Sequence, residues 1–265
     1  MKSRANKDTL RISVSEEKGV RYLHFGTEWV QGAMRVRKPW ALELDYSRHM
    51  MAWLLFVEQA PNVLQIGLGA GSLTKFVHRF LPASSVTVVD NSELVLAAAR
   101  SQFRLPAEDD RLEVVIADGH EYVANPALRG HFSVVQIDVF DQHAQGPVLD
   151  SLEFYTACAQ ALAPGGVATV NLFGEVPSYA RNYERIREAF DGRVLLLPPI
   201  EAGNVIAICF APEQGRAPTS LTSWARLRER ASVIEDEFGL NAHGWINGLK
   251  QSAERDLGSR ELIVD

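Results

Sequence analysis

Short apolar runs alternate with segments of helical periodicity through the middle of the chain. Runs rich in Val, Ile and Leu predict strands at 62–66, 85–89, 112–116, 132–137 and 166–172. Apolar residues at helical spacing predict helices at 72–81, 93–103, around Glu121 and at 152–162. Strands interleaved with helices form a parallel sheet that is covered by helices on both faces. The pattern therefore predicts a doubly wound α/β domain.

The last part of this pattern departs from simple alternation. After a predicted helix at 179–190, two strand patterns at 193–197 and 204–210 follow each other with no helix between them. Two strands joined without a helix form a hairpin, so the final strand must run antiparallel to its neighbours. A mostly parallel seven-stranded sheet closed in this way is typical of the Rossmann-like S-adenosylmethionine-dependent methyltransferase fold. Dinucleotide dehydrogenases lack this hairpin.

The two ends of the chain carry different patterns. Residues 10–37 alternate apolar and polar positions, which predicts a β-hairpin and a further strand. Residues 42–57 have helical periodicity and lead into the first strand of the α/β unit. We therefore divide the chain into an N-terminal β appendage, 1–50, and a Rossmann-like domain, 51–265. The end of the chain predicts one amphipathic helix, 221–238, and then a loosely held polar segment.

A glycine-rich loop follows the first strand of the α/β unit. Gly67, Gly69 and Gly71 let the backbone turn sharply and approach a ligand closely. Asp90 lies about twenty residues further on, with Asn91 next to it, at the end of the following strand. A carboxylate at that place can accept hydrogen bonds from two ribose hydroxyls. An adenosine-containing cofactor is therefore the first hypothesis for this loop.

The spacing of the glycines distinguishes between several kinds of nucleotide-binding loop. No Gly-Lys-Ser or Gly-Lys-Thr follows them, which argues against a Walker loop and ATP hydrolysis. A nicotinamide dinucleotide fingerprint has its third glycine where Ser72 stands here, and it remains an open alternative. Glycines at this density also occur in ordinary tight turns. The G-x-G-x-G form agrees best with S-adenosylmethionine and its relatives.

Composition and charge narrow the classes of partner. A net charge of -6 at pH 7 argues against a nucleic acid and is compatible with a cationic substrate. No apolar run is long enough to span a bilayer and the polar start lacks the apolar centre of a signal peptide. We therefore expect a cytoplasmic protein with no membrane partner. Cys158 and Cys209 lie in separate apolar segments and the histidines lack ligand spacing, so we expect inert thiols and no metal.

An acidic residue follows the predicted strand at 112–116, at the end where ligands bind in such sheets. Asp118 and the backbone N–H of Gly119 could read the edge of an adenine. A carboxylate at this position could also cap a short helix that begins at Gly119. The two roles are compatible, so the sequence leaves both open.

Two further acidic residues, Asp138 and Asp141, follow the predicted strand at 132–137, beside the glycine loop. Paired carboxylates in a partly dry cleft are costly unless a cation meets them. A protonated amine would be such a cation. The alternative is that one carboxylate caps the following segment and the other is solvated.

Taken in order, these residues resemble the spermidine synthase family of polyamine aminopropyltransferases over most of the chain. The matching residues and motifs are Gln31, Tyr46, Asp90, Asp118-Gly119, Asp138-Val-Phe-Asp141, Gly146-Pro147, Glu153-Phe-Tyr155, Gly165-Gly166 and Glu201-Ala-Gly203-Asn204. The resemblance implies the transfer of an aminopropyl group from decarboxylated S-adenosylmethionine to a polyamine such as putrescine. It also implies a homodimer.

The resemblance assigns roles to individual residues. Gln31 is similar to a cofactor-contacting glutamine of the family, and the ribose and adenine ligands are those named above. Tyr46 and Asp141 are expected on the polyamine side, with Glu175 as a weaker candidate for binding the far ammonium. Asp138 is expected to accept the proton of the attacking amine or to orient its lone pair.

One departure from the family pattern keeps a second activity open. The family's glycine loop carries an Asp that helps to hold the free amine of the decarboxylated donor, and the resemblance puts that Asp at Ala70. The alternative activity is therefore methyl transfer from intact S-adenosylmethionine, whose carboxylate would not face a nearby negative charge. A third interpretation is a catalytically silent adenosine-binding or oligomer-forming relative. The paired Asp138 and Asp141 argue against it, because an inactive site has no reason to keep them.

Overall fold

A seven-stranded sheet and a separate three-stranded sheet hold most of the strands in this computed structural model, which describes residues 11–141, 147–174, 176–213, 221–255 and 262–264. The strands are β1 (Ser13–Glu17), β2 (Val20–His24), β3 (Val30–Arg35), β4 (Asn62–Ile66), β5 (Ser85–Asp90), β6 (Leu112–Ile116), β7 (Phe132–Ile137), β8 (Leu162–Phe173), β9 (Val194–Leu196), β10 (Asn204–Phe210), β11 (Thr222–Ser223) and β12 (Ile263–Val264). The helices are α1 (Asp45–His49), α2 (Ser72–Phe80), α3 (Glu93–Gln102), α4 (Gly119–Val123), α5 (Leu152–Ala161), α6 (Tyr179–Ala189), α7 (Trp224–Phe238) and α8 (Ala242–Arg255). Two 3-10 turns lie at Ala52–Leu55 and Pro126–Leu128.

The topology of the larger sheet confirms the predicted fold class. Its strand order is β6-β5-β4-β7-β8-β10-β9, and β4 to β8 run parallel. β10 is antiparallel to both β8 and β9, as the hairpin prediction requires. The strand order reverses between β4 and β7, and at such a point the connections diverge and leave a crevice at the carboxyl ends of the strands. The glycine loop after β4 borders this crevice.

Both faces of the larger sheet are buried. Val63 and Leu64 are neighbours in β4 and both are fully buried, but they pack into different apolar clusters. Helices α2, α7 and α8 contribute to the cluster on one face, and α5 and α6 contribute to the other. Strands covered on both faces are apolar at nearly every position. This is why the bounds of β4, β7 and β10 agree with the predicted strands.

The predicted helix at 42–57 is wrong. The segment forms the short α1 and then the 3-10 turn at Ala52–Leu55. The backbone carbonyl of Met50, which would accept an amide of a continuing helix, instead accepts hydrogen bonds from the side chains of Gln136 and Thr169. Residues 50–55 are all buried, so their apolar character reflects enclosure on every side and not a helical stripe.

The helix predicted near the end of the chain is confirmed by α7, but the loosely held segment predicted after it is wrong. α7 ends at Gly239 in the left-handed conformation, and a second helix, α8, follows it. Trp245, Ile246 and Leu249 on α8 are buried, and β12 pairs with β11 in parallel. The described part of this segment is therefore packed against the body of the protein. None of the described helices combines the length and the apolar character that a membrane crossing requires.

The three-stranded sheet packs its last strand against the glycine loop. It contains the predicted hairpin, β1 and β2, with β3 as the further strand. A Cβ at Gly32 would lie 2.7 Å from that of Ala70, and the Ser72 hydroxyl donates a hydrogen bond to the carbonyl of Ala33 at 3.1 Å. The division of the chain at residue 50 stays a prediction.

Lys75 is an isolated cation in the core. It is 4% exposed, and its Nζ donates a hydrogen bond to the carbonyl of Phe103 at 2.7 Å. Burial lowers the pKa of Lys75 to about 7. Below pH 7 the folded protein must hold this charge in an apolar setting, whereas an unfolded lysine is solvated.

We expect Lys75→Met to stabilise the fold at low pH. The gain in the free energy of unfolding at pH 6 should be about 2 kcal/mol, since relief from burying the charge exceeds the lost hydrogen bond. The gain should shrink between pH 7 and about 10.4, where the unfolded lysine keeps its proton and the folded one has lost it. Urea unfolding at several pH values measures this, with the exposed Lys38→Met as control. Equal effects of the two variants at every pH would contradict the prediction.

Candidate functional site

A cavity of about 760 Å³ lies at the carboxyl ends of β4, β5 and β7 and extends to the three-stranded sheet. Most of the residues predicted for the site line it together: Gln31, Tyr46, Gly67, Gly69, Asp90, Asn91, Asp118, Gly119, Asp138 and Asp141. Gly71 does not line the cavity. It is the N-cap of α2 in the left-handed conformation, and a Cβ there would meet the side chain of Leu105 at 2.9 Å. Its requirement for glycine is therefore one of local packing.

The glycine loop approaches β7 very closely. A Cβ at Gly67 would lie 2.1 Å from the backbone carbonyl oxygen of Asp138, and Gly67 has φ +97°. A side chain cannot be accommodated there, because the atom it would meet belongs to the backbone. Gly67 thus allows the first turn of the loop to lie directly beside the end of β7, where Asp138 stands.

The carboxylate of Asp90 is held by backbone amides. Its Oδ2 accepts a hydrogen bond from the amide of Leu68 at 2.9 Å, and its Oδ1 accepts one from the amide of Ser92 at 2.9 Å. Burial raises the pKa of Asp90, and the two amide hydrogen bonds oppose that rise. Each carboxylate oxygen has a second lone pair, so the group can accept further hydrogen bonds from the cavity.

Asp118 caps a helix in the structure, as one of its two predicted roles requires. One oxygen, Oδ1, accepts hydrogen bonds from the amides of His120 at 2.8 Å and Glu121 at 3.0 Å at the start of α4. The same residue also lines the cavity. Gly119 lies against Ile66, where a Cβ would meet a methyl group at 2.6 Å. Capping is therefore compatible with a contact from Asp118 to a ligand.

Asp138 lies partly buried at the centre of the cavity wall. The side-chain amide of Asn171 donates a hydrogen bond to Asp138 Oδ1 at 2.9 Å, and the hydroxyl of Tyr46 hydrogen-bonds to the same carboxylate. Burial raises the pKa of Asp138, and these two hydrogen bonds oppose the rise. The pKa of Tyr46 is also raised, first by burial and then by the charge of Asp138. Tyr46 therefore keeps its proton and donates a hydrogen bond to the carboxylate.

Gln31 connects the three-stranded sheet to the segment after β7. Its side-chain amide donates a hydrogen bond to the backbone carbonyl of Asp141 at 2.9 Å. Asp141 lines the cavity close to Asp138 in sequence, and both lie at its acidic side. Gly146 and Glu175, which the sequence analysis also named, lie outside the described residues.

The cavity is more acidic than the sequence analysis expected. Its carboxylates are Glu28, Glu43, Asp45, Asp90, Asp118, Asp138, Asp141 and Glu201, and none of the described residues that line it carries a basic side chain. Two of these carboxylates are paired from outside the cavity, Glu43 with Arg35 and Asp45 with Arg48. Within the part of the chain that the structure describes, Glu28 and Glu201 make no ion pair and are exposed to the cavity mouth. Such a surface attracts cations.

Asn171 is a further site residue that the sequence pattern did not predict. It is a buried polar residue in β8, it holds Asp138, and it accepts a hydrogen bond from the side-chain amide of Asn204 at 3.0 Å. The available signal was one polar residue at the end of an apolar strand. Over the described ranges, no cluster of three or more His, Cys, Asp or Glu side chains could hold a metal ion.

Comparisons with known proteins agree on one family. The family model described as Spermine/spermidine synthase domain matches residues 43–184. The chain is 38% identical to a polyamine aminopropyltransferase of Chromobacterium violaceum, over 93% of this chain and 92% of that protein. It is 36% identical to a polyamine aminopropyltransferase of Neisseria meningitidis serogroup A, over 91% of this chain and 89% of that one.

Two solved structures are similar in fold. A spermidine synthase in complex with a transition state analogue has a TM-score of 0.56 and 26% sequence identity, and the match covers 76% of this chain and 74% of that chain. Human methyltransferase-like protein 13 in complex with SAH has a TM-score of 0.61 and 24% identity, over 73% of this chain and 92% of that chain. The second likeness concerns the fold alone.

Proposed function

The chain belongs to the spermine/spermidine synthase family, and from this membership we propose that it transfers an aminopropyl group from a sulfonium nucleoside to a polyamine. The observation that carries the proposal is the cavity itself. It joins a carboxylate suited to a ribose, Asp90, to a partly buried carboxylate, Asp138, in surroundings that are acidic and free of basic side chains among the described lining residues. A cationic donor and a cationic acceptor both fit such a surface.

The donor is proposed to bind through its adenosine part. Asp90 accepts hydrogen bonds from both ribose hydroxyls, with Asn91 beside it, and Asp118 with the amide of Gly119 reads the adenine edge. The glycine loop lets the backbone approach the sulfonium group. Gln31 lies on β3, where its backbone oxygen is next to Gly69 of the loop, and its side chain contacts the donor from that side. The residues to which the resemblance assigns these roles all line the same cavity.

The acceptor amine must lose a proton before it reacts. If its pKa is near that of a lysine, about 99.9% of it is protonated at pH 7, and only the neutral amine has a lone pair. We propose that Asp138 accepts this proton. Its raised pKa makes it a better base than an ordinary aspartate, and Tyr46 and Asn171 hold it in place.

The transfer itself is a displacement at carbon. The amine nitrogen forms a bond to the methylene carbon of the aminopropyl group that is attached to sulfur, and the bond from that carbon to sulfur breaks. Sulfur takes the electron pair, so the leaving group is the neutral thioether methylthioadenosine and needs no acid. Alignment of nitrogen, carbon and sulfur contributes about 7 to 11 kcal/mol in favourable intramolecular reactions. The positions of donor and acceptor therefore matter as much as the basicity of Asp138.

The remaining carboxylates are proposed to bind the ammonium groups that do not react. Asp141 lies nearest to Asp138 in the chain and takes the far ammonium of a diamine. Glu28 and Glu201 stand at the cavity mouth and meet ammonium groups of a longer polyamine. Two opposite charges 4 Å apart attract each other by about 4 kcal/mol at an effective dielectric constant near 20.

Ala70 favours methyl transfer as a second candidate function. It is 3% exposed and packs against Gly32, so no carboxylate stands at this point of the glycine loop to meet the amine of a decarboxylated donor. Intact S-adenosylmethionine, which carries a carboxylate of its own, would meet no repulsion there. The donor is thus the main point on which the two functions differ.

The released nucleoside tests the proposed function. We expect methylthioadenosine when the protein is incubated with decarboxylated S-adenosylmethionine and putrescine or a longer polyamine, and no turnover with the intact donor. Chromatography of the nucleosides measures both, and omission of the amine is the control. Release of adenosylhomocysteine from the intact donor would instead identify a methyltransferase. If no sulfonium nucleoside raised the melting temperature, both functions would be excluded.

A cytoplasmic location and a homodimer complete the proposal. The homodimer comes from the resemblance, and the cytoplasmic location comes from the lack of an apolar run that could span a bilayer. Light scattering of the purified protein measures the mass in solution, and a monomer at working concentration would contradict the second point.

A further inference from the structure

A row of buried polar side chains crosses the centre of the sheet beneath the cavity. Gln65 in β4, Gln136 in β7 and Thr169 in β8 are register partners on adjacent strands, and each is at most 1% exposed. Gln65 Nε2 donates a hydrogen bond to Gln136 Oε1 at 2.9 Å. Amides are rarely enclosed in an apolar core, because an amide without a partner is costly there. Their presence calls for a physical reason.

One end of this row reaches the helix after the glycine loop. Thr74, in the first turn of α2, donates its hydroxyl hydrogen to Gln65 Oε1 at 2.6 Å and is 1% exposed. Gln65 stands two residues before Gly67 in β4, at the point where the loop begins. The strand that enters the glycine loop and the helix that leaves it are therefore tied together by side chains.

The other end reaches the helix that carries Tyr46. The backbone carbonyl of Met50, at the end of α1, accepts hydrogen bonds from Gln136 Nε2 at 3.0 Å and from the hydroxyl of Thr169 at 3.2 Å. The amide of Met50 in turn donates to the carbonyl of Tyr46 at 2.8 Å. α1 is thus attached to β7 and β8 by its last carbonyl.

A second polar row lies two residues further along the same strands. Gln136 and Asp138 belong to one face of the chain at β7, and Thr169 and Asn171 belong to one face of β8, because side chains alternate along a strand. Asn171 and Tyr46 both hydrogen-bond to Asp138. The row of Gln65, Gln136 and Thr169 sets the position of α1. Tyr46 on α1 then reaches the second row, where it hydrogen-bonds to Asp138.

We infer that Thr74, Gln65, Gln136 and Thr169 form a positioning network that fixes Tyr46 and the glycine loop relative to Asp138 during transfer. The inference rests on the proposed function. The donor lies on the loop and the acceptor amine lies at Tyr46 and Asp138, so the network spans the line along which nitrogen, carbon and sulfur must align. A shift of about 1 Å in such an alignment can lower a rate about a hundredfold.

The two ends of the network should give different kinetic signatures. Thr169→Val keeps the side-chain shape and removes one hydrogen bond to Met50, so we expect kcat to fall about tenfold while the KM of the donor stays within about twofold. Thr74→Val acts on the loop side, and we expect the KM of the donor to rise about fivefold with a smaller effect on kcat. Thr169→Ser restores the hydroxyl and should restore kcat.

Steady-state kinetics of methylthioadenosine release, together with melting temperatures, tests the inference. Val135→Ala is the matched control, because Val135 lies beside Gln136 in β7, is fully buried and faces the opposite apolar cluster. It should lower the melting temperature and leave kcat and KM unchanged. If Thr169→Val behaved like Val135→Ala, or if Thr169→Ser did not recover kcat, the inference would be overturned. The wild-type rate tests the proposed function, and the ratio of variant to wild-type rates tests the network.

Discussion

An Asp138→Asn variant should lose turnover by about a thousandfold and keep its affinity for methylthioadenosine. Asparagine has the shape of aspartate and retains Oδ1, the atom to which Asn171 donates its hydrogen bond. The local structure should therefore survive, while the group that accepts the amine proton is gone. The rate is measured with decarboxylated donor and saturating polyamine, and the affinity by calorimetry.

The pH dependence of kcat gives the same prediction a second readout. Only ionised Asp138 accepts a proton, and burial raises its pKa above the usual value for an aspartate, about 3.9. As the pH falls through that raised pKa, the wild type should lose activity. Asp110→Asn, an exposed change outside the cavity lining, should leave both kcat and its pH profile as in the wild type. Loss of nucleoside affinity in Asp138→Asn would assign the residue to the donor site instead.

The architecture was predictable because burial leaves a clear mark on sequence. Strands such as β4 and β7 are covered on both faces, so they appear as short runs that are apolar at most positions. α8 had a signal too, since Ala242, Trp245, Ile246 and Leu249 follow helical spacing and all are buried. That signal was outweighed by the polar residues between them. The prediction failed in the opposite way at residues 50–55. These residues are apolar because they are enclosed on every side, and a continuous apolar run also satisfies the spacing that predicts a helix.

The cavity was predictable in part. Parallel strands end at one edge of a sheet, so carboxylates that follow successive strands come together without knowledge of the tertiary structure, as Asp90, Asp118 and Asp138 do. Glu28 and Glu201 come from a turn of the small sheet and from the β9–β10 hairpin. Their contribution depends on how these segments fold back over the crevice. Nothing in the local pattern around either residue specifies that geometry.

Asn171, which holds Asp138 together with Tyr46, also escapes a sequence-based argument. Asn171 lies 33 positions from Asp138 in the chain and one hydrogen bond away in space. A single asparagine in an apolar strand has many possible partners, and the register between β7 and β8 selects this one. Hydrogen bonds between side chains on adjacent strands are therefore where the structure adds most to the interpretation of the site.

An Asp90→Asn variant should weaken the binding of methylthioadenosine about a hundredfold. A carboxylate that accepts two ribose hydroxyls makes two charge-assisted hydrogen bonds of about 1.5–3 kcal/mol each. Asparagine removes the charge and places an NH2 group where Asp90 accepts from the amide of Leu68 or of Ser92, so one of the two backbone hydrogen bonds to this side chain is also lost. Isothermal titration calorimetry measures the dissociation constant.

Asp118→Asn is the matched control for that change. Asp118 caps α4 through Oδ1 alone, and asparagine is an equally good N-cap, so the variant loses the charge and keeps the local fold. Its effect on binding should be clearly smaller than that of Asp90→Asn, because one hydrogen bond to the adenine edge is lost, compared with two hydrogen bonds to the ribose at Asp90. Equal dissociation constants for Asp90→Asn and the wild type would show that the ribose lies elsewhere. The donor-binding part of the proposal would then have to be abandoned, whatever the result at Asp138.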